Sequence, residues 1–247
     1  RLCYLLIIIG TVVTLSIYKV PNVSASTTGP EDLFYSFETG SGAVYDNSQT
    51  GGNDGTLSAG ASFTSDSYWG NYGLYIPGSD YVEVSDSSNE LYQGSGFTFM
   101  AWYKPSGTGD TGIVMLGACC SNRNGYTVAQ DGNELRFWGG LDSDSTNYNF
   151  RGGSAVSSWT HVAVAVDKSG DLFMYQDGNQ VASGSYGTGT TPKDAVDDLR
   201  TTPKLCLGGE GIDGNSSEDV TLDDVRVYMQ YLNQSEIQYI MNNGSSG

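Results

Sequence analysis

Turn signatures punctuate this chain at short intervals, and they constrain its fold more than any other feature. Asp131-Gly132-Asn133 separates residues 126–130 from residues 134–138, and Asp177-Gly178-Asn179 separates residues 172–176 from residues 180–183. Asp-Gly followed by Asn supplies residues that tolerate positive φ where a tight hairpin needs them. The flanking runs alternate apolar and polar residues, the period-2 pattern of half-buried strands. Pro77-Gly78-Ser79-Asp80 joins residues 74–76 to residues 81–84 in the same way, and residues 33–37 open the series. Many short strands bounded by turn residues predict an antiparallel all-β fold, a sandwich or a barrel.

Two runs are apolar on both faces. In residues 97–103, Phe97, Phe99, Ala101 and Tyr103 share one face, while Thr98, Met100 and Trp102 share the other. Residues 159–166 are similar. Such strands belong in the middle of a sheet that is covered on both sides. Only two stretches read as helix: the apolar N-terminal run and residues 233–241, where Asn233 and Glu236 have the spacing of a capping box. No internal repeat and no second domain are evident.

Composition narrows the function classes. The 247 residues carry a formal net charge of −17, yet only 16% are charged, against about a quarter in an average domain. A nucleic-acid binder needs a basic footprint to displace counterions, and none is present. The same balance makes a poor peripheral ligand for anionic lipid. Aromatic residues at 12% argue against disorder, and the length suits a single all-β domain. Most carboxylates fall in turns, where they serve backbone geometry.

Residues 2–17 form a nearly unbroken apolar run, followed by Val23-Ser24-Ala25. The run is shorter than the roughly 20 residues a spanning helix needs, and the small residues fit a cleavage site. Residues 1–25 are therefore expected to be a signal peptide; the alternatives are an uncleaved membrane anchor or the assembly helix of a filament subunit. Residues 26–31 read as a linker, 32–241 as the sandwich and 242–247 as a polar tail. Each reading places the sandwich outside the cell, secreted or anchored at the surface, with membrane contact only through residues 2–17 if they are retained. The cysteines are Cys3, Cys119, Cys120 and Cys206. One of the vicinal pair bridging to Cys206, or a Cys119–Cys120 ring, both remain open. The sequons at Asn22, Asn215, Asn233 and Asn243 are acceptors only in a host that glycosylates.

Several segments together resemble laminin-G-like domains of the concanavalin A-like lectin/glucanase superfamily. Residues 159–167 with 172–178 look like the family's central hairpin. Residues 34–42, Asp46-Asn47-Ser48 and residues 53–57 are similar to its opening, and residues 97–105 to its central strand. Residues 222–228 with 232–237 are close to its closing strand and short helix. The resemblance spans about residues 32–241. It implies a jelly-roll sandwich of two antiparallel sheets, which by itself does not specify function.

The resemblance also implies calcium between the last strand and the N-terminal loop, carried by Asp46, Asn47, Asn53, Asp223 and Asp224. Strand parity with Val225 and Val227 would turn Asp223 toward the covered face, where a carboxylate needs a cation, hydrogen bonds or a partner such as Arg226. The Glu-x-Asp-x-Glu run that the superfamily's glucanases place on one strand face is absent, Asp142-Ser143-Asp144 reads as a loop with no Glu, and His161 has no evident nucleophilic partner, so no catalytic residues are expected. For ligand binding the sequence offers aromatic and amide groups in what read as loops: Trp69 and Tyr72, Asn122, Arg123 and Asn124, then Asp142, Asp144 and Tyr148. The expectation is a non-catalytic recognition or adhesion module whose partner is a glycan or surface glycoprotein. The alternative is a structural subunit of an extracellular filament or envelope, with homo-oligomers held by the N-terminal segment.

Overall fold

The computed structural model describes residues 31–49, 51–85, 96–118, 122–141, 144–167, 169–185, 204–209 and 218–244. The expectations for residues 1–25, most of the linker, Asp142, Cys119 and Cys120 lie outside them. The first strands are β1 (Leu33–Tyr35), β2 (Gly55–Leu57), β3 (Ser62–Thr64), β4 (Gly73–Ile76), β5 (Tyr81–Ser85) and β6 (Phe97–Pro105). The hairpin-rich middle holds β7 (Thr111–Ala118), β8 (Asn122–Asp131), β9 (Glu134–Leu141) and β10 (Asp144–Gly152). Next come β11 (Thr160–Val166), β12 (Asp171–Gln176), β13 (Asn179–Ser185), β14 (Lys204–Gly208), β15 (Val220–Tyr228) and helix α1 (Gln234–Asn243).

These strands form two antiparallel sheets. One runs β13-β12-β11-β6-β15-β4-β3, with β1 also on β15; the other runs β10-β9-β8-β7-β14-β5-β2. Their inner faces meet in one core. Phe97, Phe99, Ala101 and Tyr103 of β6 and Val162, Val164 and Val166 of β11 pack with Val82, Val84, Val114, Val128, Phe137, Leu205 and Leu207 of the other sheet. The antiparallel all-β fold expected from the turn spacing, and the jelly-roll sandwich implied by the family resemblance, are what is observed.

The hairpin between β12 and β13 turns at Asp177 (φ 48°) and Gly178 (φ 71°), the two positive φ values of a type I′ turn. The expected burial of β6 on both faces holds as well: Thr98, Met100 and Trp102 are as hidden as their neighbours. Helix α1 provides part of the cover. Ile237 packs with Met100, Ala163, Ala165, Tyr175, Tyr228 and Leu232 in a second, smaller core on the outer side of the eight-stranded sheet. Burying one such side chain contributes about 1.5–3 kcal/mol. The Asn233 carboxamide accepts from the backbone N–H groups of Ser235 and Glu236, and Glu236 accepts from the Asn233 N–H, the full capping box.

Two sequence expectations need correction. Residues 122–124 and 144–149, read as loops from the sequence, belong to strands: Asn122 of β8 pairs with Ala118 of β7, and Asp144 and residues 147–149 of β10 pair with β9. Asn, Asp and Ser have weak strand propensity, but backbone pairing with neighbouring strands overrides it. The parity argument for Asp223 also fails. The β15–β6 register shifts between Asp223, opposite Trp102, and Arg226, opposite Met100. The bulge is made by Asp224 in the left-handed region (φ 47°), which Asp tolerates. It puts Asp223 on the outer face with Trp102, while Val225 and Val227 point into the core.

Candidate functional site

The outer face of the seven-stranded sheet carries an ordered set of polar and aromatic side chains. Ladder registers define a row crossing all seven strands: Asn149, Trp138, Thr127, Met115, Cys206, Glu83 and Thr56. Trp138 is half-buried and stands between Thr127 and Asn149. Beside it runs a chain of hydrogen bonds. Arg136 Nε donates to Asn149 Oδ1 at 2.9 Å and its Nη1 to Asp131 Oδ2. Arg151 donates to the same Asp131 oxygen at 2.8 Å and to Glu134 Oε1 at 3.2 Å. Burial pushes the Asp131 carboxyl upward, but the Arg136 hydrogen bond and both guanidinium charges outweigh it and hold it below its ordinary value. Two cations and two anions thus present donors and acceptors with no net charge.

On the other side of Trp138, the next row places Gly140, Gly125 and Gly117 in register on β9, β8 and β7, with Asn147 and Lys204 as their partners on β10 and β14. Neighbouring strands lie about 4.8 Å apart, so three adjacent strands here carry glycines side by side. Glycine inside a strand weakens it and often marks the close approach of a ligand or another backbone. Asn122, Arg123 and Asn124 begin β8 on the approach to Gly125, and Asp144 and Tyr148 lie in β10 on the approach to Asn149. The structure therefore gathers most of the predicted ligand residues at one end of three adjacent strands. Trp138, Arg136, Asn149 and Arg151 were missed as a group. The signal was present as the alternation of Glu134, Arg136 and Trp138 in one strand, but their partners on β10 could not be assigned without the register.

Trp69 and Tyr72 lie elsewhere, in the β3–β4 connection on the eight-stranded sheet. Tyr72 is exposed and Trp69 half-buried. The connection is held by two carboxylates. Asp223 Oδ2 accepts from the N–H groups of Tyr68 (2.8 Å) and Trp69 (2.7 Å), and Glu38 accepts from those of Asn71 (3.0 Å) and Tyr72 (3.2 Å).

Asp46, Asn47, Asp223 and Asp224, predicted for calcium, each accept hydrogen bonds from groups of the chain itself. Asp46 accepts from Phe34, Ser48 and Asn53 N–H groups, and Asn47 Oδ1 from the backbone and hydroxyl of Ser36. Both Asp223 oxygens are taken by backbone N–H groups, the third being that of Asp224. Asp224 is bound by Arg226, which also pairs with Glu31 and lies 4.2 Å from the Phe34 ring centre. Among the described residues no group of three or more His, Cys, Asp or Glu is placed to hold a metal. Burial pushes Asp223 up to about 7 despite its three backbone donors. His161 is driven the other way, down to about 3, by burial and then by the Arg226 charge.

A laminin-G family model described as concanavalin A-like lectin/glucanases superfamily matches residues 77–238. The chain belongs to the concanavalin A-like lectin/glucanases superfamily. No curated protein sequence matches this superfamily member. Its fold is similar to the binding domain of botulinum neurotoxin DC in complex with rat synaptotagmin II: TM-score 0.63, 13% identity, 87% of this chain and 52% of that one. It is similar to the same toxin's binding domain in complex with SialylT: TM-score 0.63, 13% identity, coverage 87% and 51%. It also matches a structure of botulinum neurotoxin type C, titled for a cell entry dependent on two ganglioside molecules: TM-score 0.65, 14% identity, coverage 87% and 51%. The superfamily member spans about half the length of these structures, and at such identity the likeness is one of fold.

Proposed function

We propose that this chain is a non-catalytic recognition module that binds a neutral glycan on the outer face of its seven-stranded sheet. The observation that carries the reading is Trp138 set between the Gly117–Gly125–Gly140 row and the Glu134–Arg151–Asp131–Arg136–Asn149 hydrogen-bond chain. A pyranose has a flat apolar face of C–H groups and a rim of hydroxyls that both donate and accept. The indole suits the first, and the alternating guanidinium and carboxylate groups suit the second. Their mutual neutralisation, in a chain of net charge −17, favours an uncharged sugar over an acidic one. The likeness in fold to a botulinum toxin whose cell entry depends on ganglioside molecules, and to a toxin binding domain in complex with SialylT, supports glycan as the ligand class.

Two carboxylates of the described residues support a non-catalytic module. A glycosidase needs one acid with a raised pKa facing substrate. Asp131 is held low by two arginines, and Asp223, the carboxyl raised to about 7, is only 1% exposed. The disulfide at the buried Cys206, whose partner lies outside the described residues, supports an oxidising, extracellular or cell-surface setting. The test is a glycan array probed with the protein and with its Trp138→Ala variant. Binding to uncharged glycans that the variant loses at least tenfold supports the proposal. A folded protein that retains no glycan, or binding indifferent to Trp138, refutes it.

A further inference from the structure

The β3–β4 connection builds a second aromatic surface on the opposite side of the sandwich. Tyr68 is 41% exposed and stacks on Trp102, with ring centres 3.4 Å apart and planes 13° apart. Trp159 meets it at 6.3 Å and 63°, so the two rings form an open corner. Asp66 and Lys104 close its rim. They pair with each other, Asp66 accepts from Trp159 Nε1 at 3.2 Å, and the Lys104 ammonium lies 5.8 Å from the Trp159 ring centre. The corner is held to the sheet by the Tyr68 N–H, which donates to the buried Asp223. Preorganisation of this kind lowers the ordering cost of binding. Beneath it, the Nε1 of Trp102 and the Nδ1 of His161 are buried without a hydrogen-bond partner, a cost that a purely structural plug of apolar residues would avoid.

An exposed ring backed by a second ring, beside an angled indole and a donor–acceptor pair, offers the same chemistry as the Trp138 face. We propose that this corner is a second glycan site, which makes the module divalent; the inference rests on the glycan reading above. The two sites lie on the outer faces of the two sheets and so face away from each other, with a core about 10 Å thick between the sheets. One short chain cannot engage both. The expected behaviour is cross-linking of separate glycan chains rather than tighter binding of one.

The experiment titrates the whole chain with cellohexaose and, separately, chitohexaose by calorimetry, then tests aggregation of beads coated with the same sugars. Two sugars per chain are expected, with aggregation. Trp138→Ala and Tyr68→Ala/Trp159→Ala should each leave one sugar per chain and no aggregation. Asp66→Ala, at an exposed position that leaves the packing intact, should weaken one of the two affinities at least fivefold. A stoichiometry of one in the unaltered protein, lost with Trp138→Ala alone, overturns the second site and leaves the Trp138 site standing. Loss only with the Tyr68/Trp159 variant does the reverse. Failure of both hexasaccharides to bind overturns the inference.

Discussion

Replacing His161 by Leu should change how stability depends on pH, and the sign of the change follows from two buried groups on nearby strands. His161 is 2% exposed and its pKa is driven from 6.5 to about 3 by burial and by Arg226. The unfolded chain binds a proton below pH 6.5 that the folded chain refuses, so this group removes stability as the pH falls from 6.5 toward 3. Asp223 works oppositely. Its pKa is raised from 3.8 to about 7 by burial, so the folded chain holds a proton between those values that the unfolded chain releases. Its contribution is fully present below about pH 4 and is lost as the pH rises through 7. Between pH 4 and 6.5 the two slopes cancel in the native protein. In His161→Leu only the Asp223 slope remains. The difference in unfolding free energy between variant and native protein should then grow in the variant's favour by about 2 kcal/mol between pH 6.5 and 4.5, at just over 1 kcal/mol per unit. Urea denaturation at half-unit pH steps, followed by tryptophan fluorescence, measures that difference directly, and the other titrating groups drop out of the subtraction. Parallel stability curves for the two proteins would show that His161 titrates normally and would refute the reasoning.

Removing the loop anchor should be costly at any pH. Asp223→Ala leaves three backbone N–H groups without their acceptor, and a loss of about 3 kcal/mol or more in urea denaturation is expected, since each buried unsatisfied donor costs about 1–3 kcal/mol. Asn233→Ala deletes the α1 cap and should cost about 1 kcal/mol, seen as a lower urea midpoint with an unchanged slope. Because the carboxylates expected to bind calcium are occupied by the chain's own donors, adding a chelator should leave the melting temperature unchanged. A drop on chelation would reveal a stabilising cation, since a ligand bound only by the folded state must raise its stability.

What the sequence determined by itself is local. Period-2 alternation and Asp-Gly turns depend on residues a few positions apart. The strands around Asp131–Asn133 and Asp177–Asn179, the two-faced burial of β6 and β11, and the Asn233–Glu236 capping box were therefore all legible in the order of residues alone. The family resemblance extended this to the jelly roll. What only the tertiary structure decided is register. Whether Asp223 faces the core turns on one left-handed residue, Asp224, and on strand partners in β6 more than a hundred positions away. Its true partners, the N–H groups of Tyr68 and Trp69, are separated from it by 155 and 154 residues. The Trp138 face likewise exists only because β8, β9 and β10 align Thr127, Trp138 and Asn149 in one row. A side-chain period of two tells which residues share a face within a strand. It carries no information about which strand lies beside it, or in what register, and a binding surface on a sheet is built across strands.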